Sequence, residues 1–290
     1  MPLRTSISGT IISIIIGILI TLGLSQNSID FYGVPLLVVC FVYSYIIHWI
    51  FFVHGYLFQT EHYFDAIGSF TFVSLSFFLI FTVQDFYAFL ICSLVAIWSL
   101  RLGSFLFNRV KKTGRDTRFT EMKKNFFWFF LTWNLSALWV YLSYVAGMVA
   151  VTSKHSSELT ITEYIFCFFG FLVWLAGFII EVVSDNQKKK FKEDISNKDK
   201  FISHGLWAWS RHPNYFGEIL LWIGITIIAI PIFKNWDYLA LISPIFIYYL
   251  LVNVSGIPML ERAADQKWGN NEDYISYKNK TNILFLKKPD

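Results

Sequence analysis

The sequence has few charged residues and few cysteines, and both shortages restrict what the protein can be. Only 15% of its 290 residues are charged, whereas soluble domains carry about 25%. Cys40, Cys92 and Cys167 each lie inside an apolar run and show no metal-ligand spacing. We therefore expect no disulfide framework and no metal site. The low charge together with the high apolar content also excludes a disordered chain.

Apolar residues are correspondingly abundant, and they are grouped into long runs. Hydrophobic residues make up 55% of the chain and aromatic residues 20%. Each run approaches the roughly 20 residues that cross the hydrocarbon core of a bilayer. We predict an all-α, polytopic transmembrane helix bundle of about eight spans, with seven as the alternative count. The spans are expected near residues 7–24, 34–55, 64–83, 86–107, 126–151, 161–183, 214–233 and 236–256.

Two features of these spans raise specific alternatives. Only residues 84 and 85 separate the third span from the fourth, so a tight or partly re-entrant hairpin is an alternative there. The first apolar segment is long and is followed by a poor cleavage site. We therefore expect a retained span rather than a cleaved signal peptide.

The basic residues are distributed unevenly between the loops. Seven Lys and Arg fall in 108–125, seven in 184–213 and six after residue 256, against one each in 152–160 and 234–235. With eight spans, the three basic segments and the N-terminus share one side of the membrane. The positive-inside rule then predicts that both termini are cytoplasmic. We interpret the net charge of +4 as a topology signal, and we expect no nucleic-acid partner. The membrane itself is the bacterial inner membrane or the endoplasmic reticulum, depending on the source.

A polar stretch enters the seventh span at Arg211-His-Pro-Asn-Tyr-Phe-Gly-Glu218. Pro213 suits the first position of a helix, which places Asn214 and Glu218 on one face. Arg211 and His212 then lie at the N-terminal end of this helix, which we call the helix mouth. Backbone N–H groups and the helix dipole favour an anion there. The alternative is a capped helix with a snorkelling arginine. A second polar residue one turn deeper is costly in a membrane without a use.

Two further polar clusters lie on the same predicted side of the membrane. One has spacings of four, three and four, which places its members on one helical face; an ordinary amphipathic helix end is the alternative. The other lies in the tail, where an interfacial helix with belt aromatics is the alternative. A site assembled from them could hold a large charged cofactor while an apolar substrate arrives from the bilayer. The clusters are Glu181, Asp185, Lys188 and Lys192, and Glu261-Arg262, Lys267-Trp268-Gly269, Tyr274 and Tyr277.

The stretch Gly205-Leu-Trp-Ala-Trp-Ser-Arg-His-Pro-Asn-Tyr-Phe-Gly-Glu218 resembles the signature of the DUF1295 branch of steroid 5-alpha-reductase-like membrane proteins. The resemblance is strong over about 170–285 and continuous from about 60. It implies N-terminal spans at 1–60 and a steroid-reductase-like membrane domain at 61–290. Flanking stretches that fit the same branch are Glu181-Val-Val-Ser-Asp-Asn-Gln-Lys188, Val254-Ser-Gly-Ile-Pro-Met-Leu-Glu-Arg262, Trp268-Gly269, Arg101-Leu-Gly103 and Asp116-Thr-Arg118.

The resemblance implies an enzyme, and the related groups differ in their cofactor. Steroid and sterol reductases reduce a carbon–carbon double bond with NADPH, whereas isoprenylcysteine carboxyl methyltransferases use S-adenosylmethionine. The Asn-Tyr-Phe-Gly-Glu form and the stretch Gln187-Lys188-x-x-Phe191-Lys192 resemble the reductases better. The expected activity is therefore NADPH-dependent reduction of a lipophilic steroid-like or enone substrate. A membrane methyltransferase and a non-enzymatic lipid-binding protein are the alternatives. The chain has no Gly-x-Gly-x-x-Gly motif, so no Rossmann domain is expected.

Carried over by position, the resemblance assigns a set of cofactor-binding residues. Two lysines would hold the phosphate end, a tryptophan would pack on the cofactor, and an arginine and a histidine would line its diphosphate or ribose path. The remaining residues would surround the ribose–nicotinamide end and close the site. The set is Asp185, Lys188, Lys192, Trp207, Arg211, His212, Asn214, Tyr215, Glu218 and Glu261.

The group that polarises the substrate is harder to identify. Steroid reductases use a Gln-Glu pair and a tyrosine from the N-terminal half, and this sequence has no clean counterpart. The nearest groups are Gln59-Thr60-Glu61 and Tyr63…Asp65, at the start of the third span. A carboxyl beside lipid can remain neutral and donate a hydrogen bond. Asp65 or Glu61 is therefore the hypothesised catalytic residue.

Overall fold

The structure is a computed structural model that describes residues 2–113, 119–155 and 158–288. The stretch Asp116-Thr-Arg118 lies outside the described residues. Over the described part the chain is predominantly helical. The helices are α1 (Leu3–Leu24), α2 (Leu36–Leu57), α3 (Phe64–Val83), α4 (Phe86–Thr113), α5 (Phe126–Thr152), α6 (Ile161–Glu193), α7 (Pro213–Ala229), α8 (Ile242–Tyr249), α9 (Ile257–Trp268) and α10 (Glu272–Lys280).

Eight helical segments in the described residues are long and apolar enough to cross a membrane. This confirms the predicted all-α bundle of about eight spans in a multi-pass membrane protein. The third and fourth spans are separate long helices, with Asp85 in the joint between them. One small exception to the helical architecture is a hairpin, in which β1 (Asp30–Phe31) pairs antiparallel with β2 (Val34–Pro35).

The last predicted span, 236–256, lies within an apolar segment long enough to cross a membrane, Asn235–Trp268, but that segment is not one regular helix. The chain there forms a 3₁₀ segment (Asn235–Leu241), then α8, then a π-helical segment (Leu250–Val254). Pro244 explains the first break, because a proline lacks the backbone N–H and clashes with the carbonyl four residues earlier. It is therefore tolerated only in the first turn of α8. Apolar content alone could not locate this interruption.

The described chain forms two compact units. The first comprises Met1–Tyr164 and Ala229–Ser243, and the second comprises Ile165–Ile228 and Pro244–Asp290. Within the first unit α5 packs against α1, α2, α3 and α4. Most residues of α5 are buried, which explains why its sequence is apolar on all faces. The predicted division after residue 60 stays a prediction.

In the second unit α6 and α7 cross with their backbones in contact. A Cβ added to Gly177 would lie 2.6 Å from the carbonyl oxygen of Gly217, and one added to Gly217 would lie 2.6 Å from that of Gly177. A second contact lies seven residues away on each helix, where a Cβ on Gly224 would lie 2.7 Å from the carbonyl oxygen of Gly170. Only glycine fits such an approach. This crossing places the start of α7 beside Glu181.

A polar contact joins two loops of the first unit, the one between α3 and α4 and the one after α5. Asp85 accepts a hydrogen bond from the backbone N–H of Ala88 at 2.7 Å and pairs with His155 Nε2 at 3.0 Å. The other ring nitrogen, Nδ1, donates to the carbonyl of Ser153 at 2.8 Å. The hydrogen bond to Asp85 raises the pKa of His155, and burial opposes it.

The close contact between α6 and α7 predicts that a glycine-to-alanine substitution there lowers the stability of the protein, whereas such a substitution in a helix usually raises it. Within a helix Gly→Ala ordinarily stabilises by about 1 kcal/mol. Gly177→Ala should instead destabilise by about 1–3 kcal/mol, because the new methyl group overlaps backbone atoms. The measurement is the thermal unfolding midpoint in detergent. Gly23→Ala is the matched control, since its Cβ would meet only the Leu239 side chain at 3.1 Å. An unchanged midpoint for Gly177→Ala would contradict the close crossing.

The His155–Asp85 pair predicts a pH-dependent stability. Because the folded pKa of His155 is raised, the pair stabilises fully below the ordinary histidine value of about 6.5. That contribution disappears as the pH rises through the folded pKa. Asp85→Asn keeps a capping oxygen for Ala88, so it should lower the unfolding midpoint at pH 6 and much less at pH 9. Glu121→Gln, which alters the exposed pair with Lys124, is the control and should show no such trend. Equal losses at both pH values would contradict the assignment.

Candidate functional site

The predicted polar mouth forms where α7 begins. As expected, the helix starts at Pro213, so Asn214 and Glu218 lie one turn apart on the same side. Glu218 is only 9% exposed, and His212 is 4% exposed. The polar stretch thus enters the protein interior rather than solvent.

The second predicted cluster lies on the C-terminal part of α6, which continues to Glu193. Glu181 and Asp185 are buried, at 2% and 6% exposure. The ammonium group of Lys188 lies 4.4 Å from the centroid of the Trp207 ring. That distance is typical of a cation–π contact. Lys192 lies one turn further on and is exposed.

A short 3₁₀ segment (Gly205–Ala208) docks on this face of α6. The indole N–H of Trp207 donates to the carbonyl of Ser184 at 3.0 Å. The backbone N–H of Leu206 donates to Gln187 Oε1, also at 3.0 Å. Gly205 has a φ of +63°, and a Cβ there would lie 2.5 Å from the Gln187 amide. Gly205 is therefore required both for backbone conformation and for space.

Arg211 forms more contacts with the C-terminal tail than the sequence predicted. Its backbone N–H donates to the carbonyl of Asn282 at 2.8 Å, and Nη1 donates to the carbonyl of Lys278 at 2.7 Å. Nη2 lies 3.1 Å from Glu261 Oε2. Most of the guanidinium therefore anchors the tail to the helix mouth, which leaves less of it for the predicted diphosphate contact.

Glu261 and the tail tyrosines connect the helix mouth to the rest of the tail. One oxygen of Glu261 lies 2.9 Å from His212 Nε2, and the other also faces Lys278 at 3.6 Å. Tyr277 donates to the carbonyl of Trp207 at 2.7 Å, and burial raises its pKa. Sequence reasoning missed Lys278, because no local spacing connects it with Glu261. The two residues meet only through tertiary packing.

Buried polar atoms without a hydrogen-bond partner mark the mouth of α7. Burial lowers the pKa of His212, although its hydrogen bond with Glu261 acts in the opposite direction. The ring is therefore neutral at pH 7, and Nε2 carries the proton because the Glu261 carboxylate accepts. Nδ1 is then an acceptor. Among the described residues nothing donates to it or to Asn214 Oδ1, and Arg211 Nε donates to nothing.

These three atoms determine what kind of group the mouth can bind. Two acceptors and one donor need a ligand that carries both N–H or O–H groups and an acceptor. A ribose diol or a carboxamide satisfies this requirement, whereas a bare phosphate would leave both acceptors unpaired. The residues present therefore fit the nucleoside part of a cofactor, and Lys188 and Lys192 are the groups suited to its phosphates.

All ten predicted cofactor-binding residues lie in the second unit. The two predicted catalytic residues, Glu61 and Asp65, belong to the first unit. Glu61 is buried and forms an ion pair with Lys123 at 2.5 Å, while Asp65 lies in the first turn of α3. Their catalytic role stays a prediction. The described residues contain no group of three His, Cys, Asp or Glu side chains that could hold a metal ion.

The chain is similar to a family of known sequences and, over part of its length, to a curated protein. One relative is the probable O-methyltransferase ustE of Ustilaginoidea virens, which is 29% identical over 101 residues. That match covers 32% of this chain and 35% of the relative, about a third of its length. No solved structure matches the chain. The model of the family described as "Protein of unknown function (DUF1295)" matches residues 51–281, so the protein belongs to the DUF1295 family.

Proposed function

We propose that the protein is a membrane-embedded, NADPH-dependent reductase of a carbon–carbon double bond in a lipophilic, steroid-like or enone substrate. The observation that carries the proposal is the set of unpartnered buried atoms on His212, Asn214 and Arg211 beside a lysine held over Trp207. These groups match the two halves of a phosphorylated nucleoside. The substrate reaches the protein from the bilayer.

The lysines of α6 bind the phosphate end of the cofactor. Lys188 and Lys192 are four residues apart, so both project from one face of the helix. Trp207 holds Lys188 by the cation–π contact and limits the rotamers that its ammonium group samples. A cation fixed in this way loses less entropy when it meets a phosphate.

The mouth of α7 orients the nucleoside. His212 Nδ1 and Asn214 Oδ1 accept hydrogen bonds from its hydroxyl or amide groups, and Arg211 Nε donates one. Glu261 keeps the proton on His212 Nε2, which leaves Nδ1 able to accept. Tyr215 stacks on His212, with ring centroids 5.7 Å apart and planes within 8°, and so fixes the ring.

NADPH supplies the hydride when it is bound, and the chain supplies the group that polarises the substrate. The two hypothesised carboxyls are Glu61, which pairs with Lys123, and Asp65 in the first turn of α3. A neutral acid is needed to donate a hydrogen bond to the substrate carbonyl. The catalytic residue is therefore Asp65 or Glu61, acting in its neutral form.

A second candidate function is a membrane methyltransferase that uses S-adenosylmethionine. The partial match to a probable O-methyltransferase favours it. S-adenosylmethionine also carries a ribose, and its positive sulfonium would suit the buried carboxylates Glu181, Asp185 and Glu218. Its lack of phosphate leaves Lys188 and Lys192 without a function, so we place it second.

Cofactor binding separates the two functions directly. Full-length protein in detergent is titrated with NADPH and, separately, with S-adenosylmethionine, with Trp fluorescence and calorimetry as readouts. The reductase proposal expects binding of NADPH and none of S-adenosylmethionine. Binding of S-adenosylmethionine alone would establish the second candidate, and binding of neither would favour the non-enzymatic lipid-binding protein.

Removing Lys192 should weaken NADPH binding by about ten- to hundredfold, since a charge-assisted hydrogen bond contributes about 1.5–3 kcal/mol. Lys190→Ala is the matched control, because Lys190 lies on the opposite face of α6 and is exposed. Glu218→Gln should weaken binding as well, without unfolding the protein. Circular dichroism checks the fold of each variant. If Lys192→Ala and Glu218→Gln both bind NADPH like the wild type, the cofactor is placed wrongly.

The pH dependence of binding tests how His212 is used. Because its pKa is lowered, Nδ1 remains an acceptor down to a pH below the ordinary value of about 6.5. NADPH affinity should be constant from pH 8 to 7 and fall when His212 becomes protonated. A phosphate at Nδ1 would give the reverse trend. The control is His212→Gln, whose side chain does not titrate. Any pH dependence of NADPH affinity that remains in this variant comes from titration of the cofactor.

A further inference from the structure

The first unit contains a pair of unpartnered polar atoms that the proposed function does not use. His48 lies on α2 and is fully buried, and Trp133 lies on α5 and is 1% exposed. Their rings meet edge to face, with centroids 6.2 Å apart and planes at 69°. In the part of the chain that is described, neither His48 Nε2 nor Trp133 Nε1 has a hydrogen-bond partner.

These two atoms have opposite hydrogen-bonding roles. His48 Nδ1 lies 2.7 Å from the carbonyl of Ser44, and a carbonyl can only accept, so Nδ1 carries the proton. A charged imidazolium is costly in an apolar interior, so the ring is neutral and Nε2 is an acceptor. The indole N–H of Trp133 can only donate. One group that satisfies both atoms must accept from Trp133 and donate to His48.

The location limits where that group can come from. His48 lies nine residues before the end of α2, which is about 13 Å along the helix. Trp133 lies seven residues after the start of α5, about 10 Å along that helix. Trp133 belongs to an apolar cluster with Phe52, Ile67, Phe119 and Phe129. The surroundings of Trp133 are apolar side chains, and an ionisable residue inside a membrane span is by default a candidate for function.

We infer that His48 and Trp133 form a binding site for the terminal hydroxyl of a slender lipophilic alcohol that enters from the bilayer. A hydroxyl both donates and accepts, as the two atoms require. A carbonyl would satisfy Trp133 alone, and an amine cation would satisfy neither the indole N–H nor the apolar surroundings. Because both rings are closed off from solvent, a narrow chain fits better than a ring system. This site is separate from the proposed cofactor site and does not depend on the protein being a reductase.

Photolabelling of the full-length protein tests the site without any cofactor. The probe is hexadecanol with a diazirine near its hydroxyl end, compared with the matched methyl ether, which accepts but cannot donate. Mass spectrometry maps the label. The alcohol should label residues around 44–52 of α2 or 129–137 of α5, and the ether should label them about tenfold less, because it leaves His48 Nε2 unpaired. This comparison uses the wild-type chain, so folding of a variant does not affect it.

Variants then assign the two contacts. Trp133→Phe and His48→Phe should each reduce labelling of these segments by about tenfold. Their matched controls are Trp49→Phe, whose indole already donates to Asn134 Oδ1 at 3.1 Å, and His54→Phe, an exposed residue of the same helix. Neither control should change the labelling. Equal labelling by the alcohol and the ether, or labels outside both segments, would overturn the site and leave an internal water as the partner of the pair. NADPH binding is measured separately, so a negative result here leaves the reductase proposal intact.

Discussion

The backbone contact between α6 and α7 is the constraint on which the candidate site depends. Gly177 and Gly217 allow the two helices to approach so closely that any larger residue would overlap main-chain atoms. Because lipid provides little hydrophobic drive between helices, such close packing is a principal source of association in membranes. The crossing also places the buried carboxylate of Glu181 beside the first turn of α7, where the polar mouth begins. Loosening it would separate the two helices that supply most of the site.

The tail gives the mouth a second support from a distant part of the sequence. Arg211 is held by the carbonyls of Lys278 and Asn282 and by Glu261. Glu261 in turn fixes the tautomer of His212. This arrangement satisfies nearly every polar group around the mouth and leaves a few atoms on His212, Asn214 and Arg211 without partners. Buried polar groups are normally paired, so the exceptions are the atoms most suited to a ligand.

Each unit contains buried polar atoms without a hydrogen-bond partner, but the chemistry around these atoms differs between the two units. At the mouth of α7 in the second unit, two of the three unpartnered atoms are acceptors and Lys188 is nearby, which suits a phosphorylated nucleoside. In the first unit one acceptor, His48 Nε2, and one donor, Trp133 Nε1, lie beside an aromatic cluster. Because of this difference, we propose a charged, water-soluble ligand for the second unit and an apolar alcohol for the first. On the same two helices, α2 and α5, by contrast, the indole N–H of Trp49 is paired with Asn134.

The sequence by itself determined the membrane architecture, the start of α7 and the shared face of Glu181, Asp185, Lys188 and Lys192, because helical periodicity and apolar length are local properties. The stretch from Gly205 to Glu218 also showed the family resemblance. The sequence did not locate the break at Pro244 within the last span, where apolar content was uniform. Only the tertiary structure decided that Lys278 meets Glu261, that Arg211 is used mainly by the tail, and that His48 meets Trp133. Those pairings join residues far apart in the chain, and no spacing rule acts over such distances.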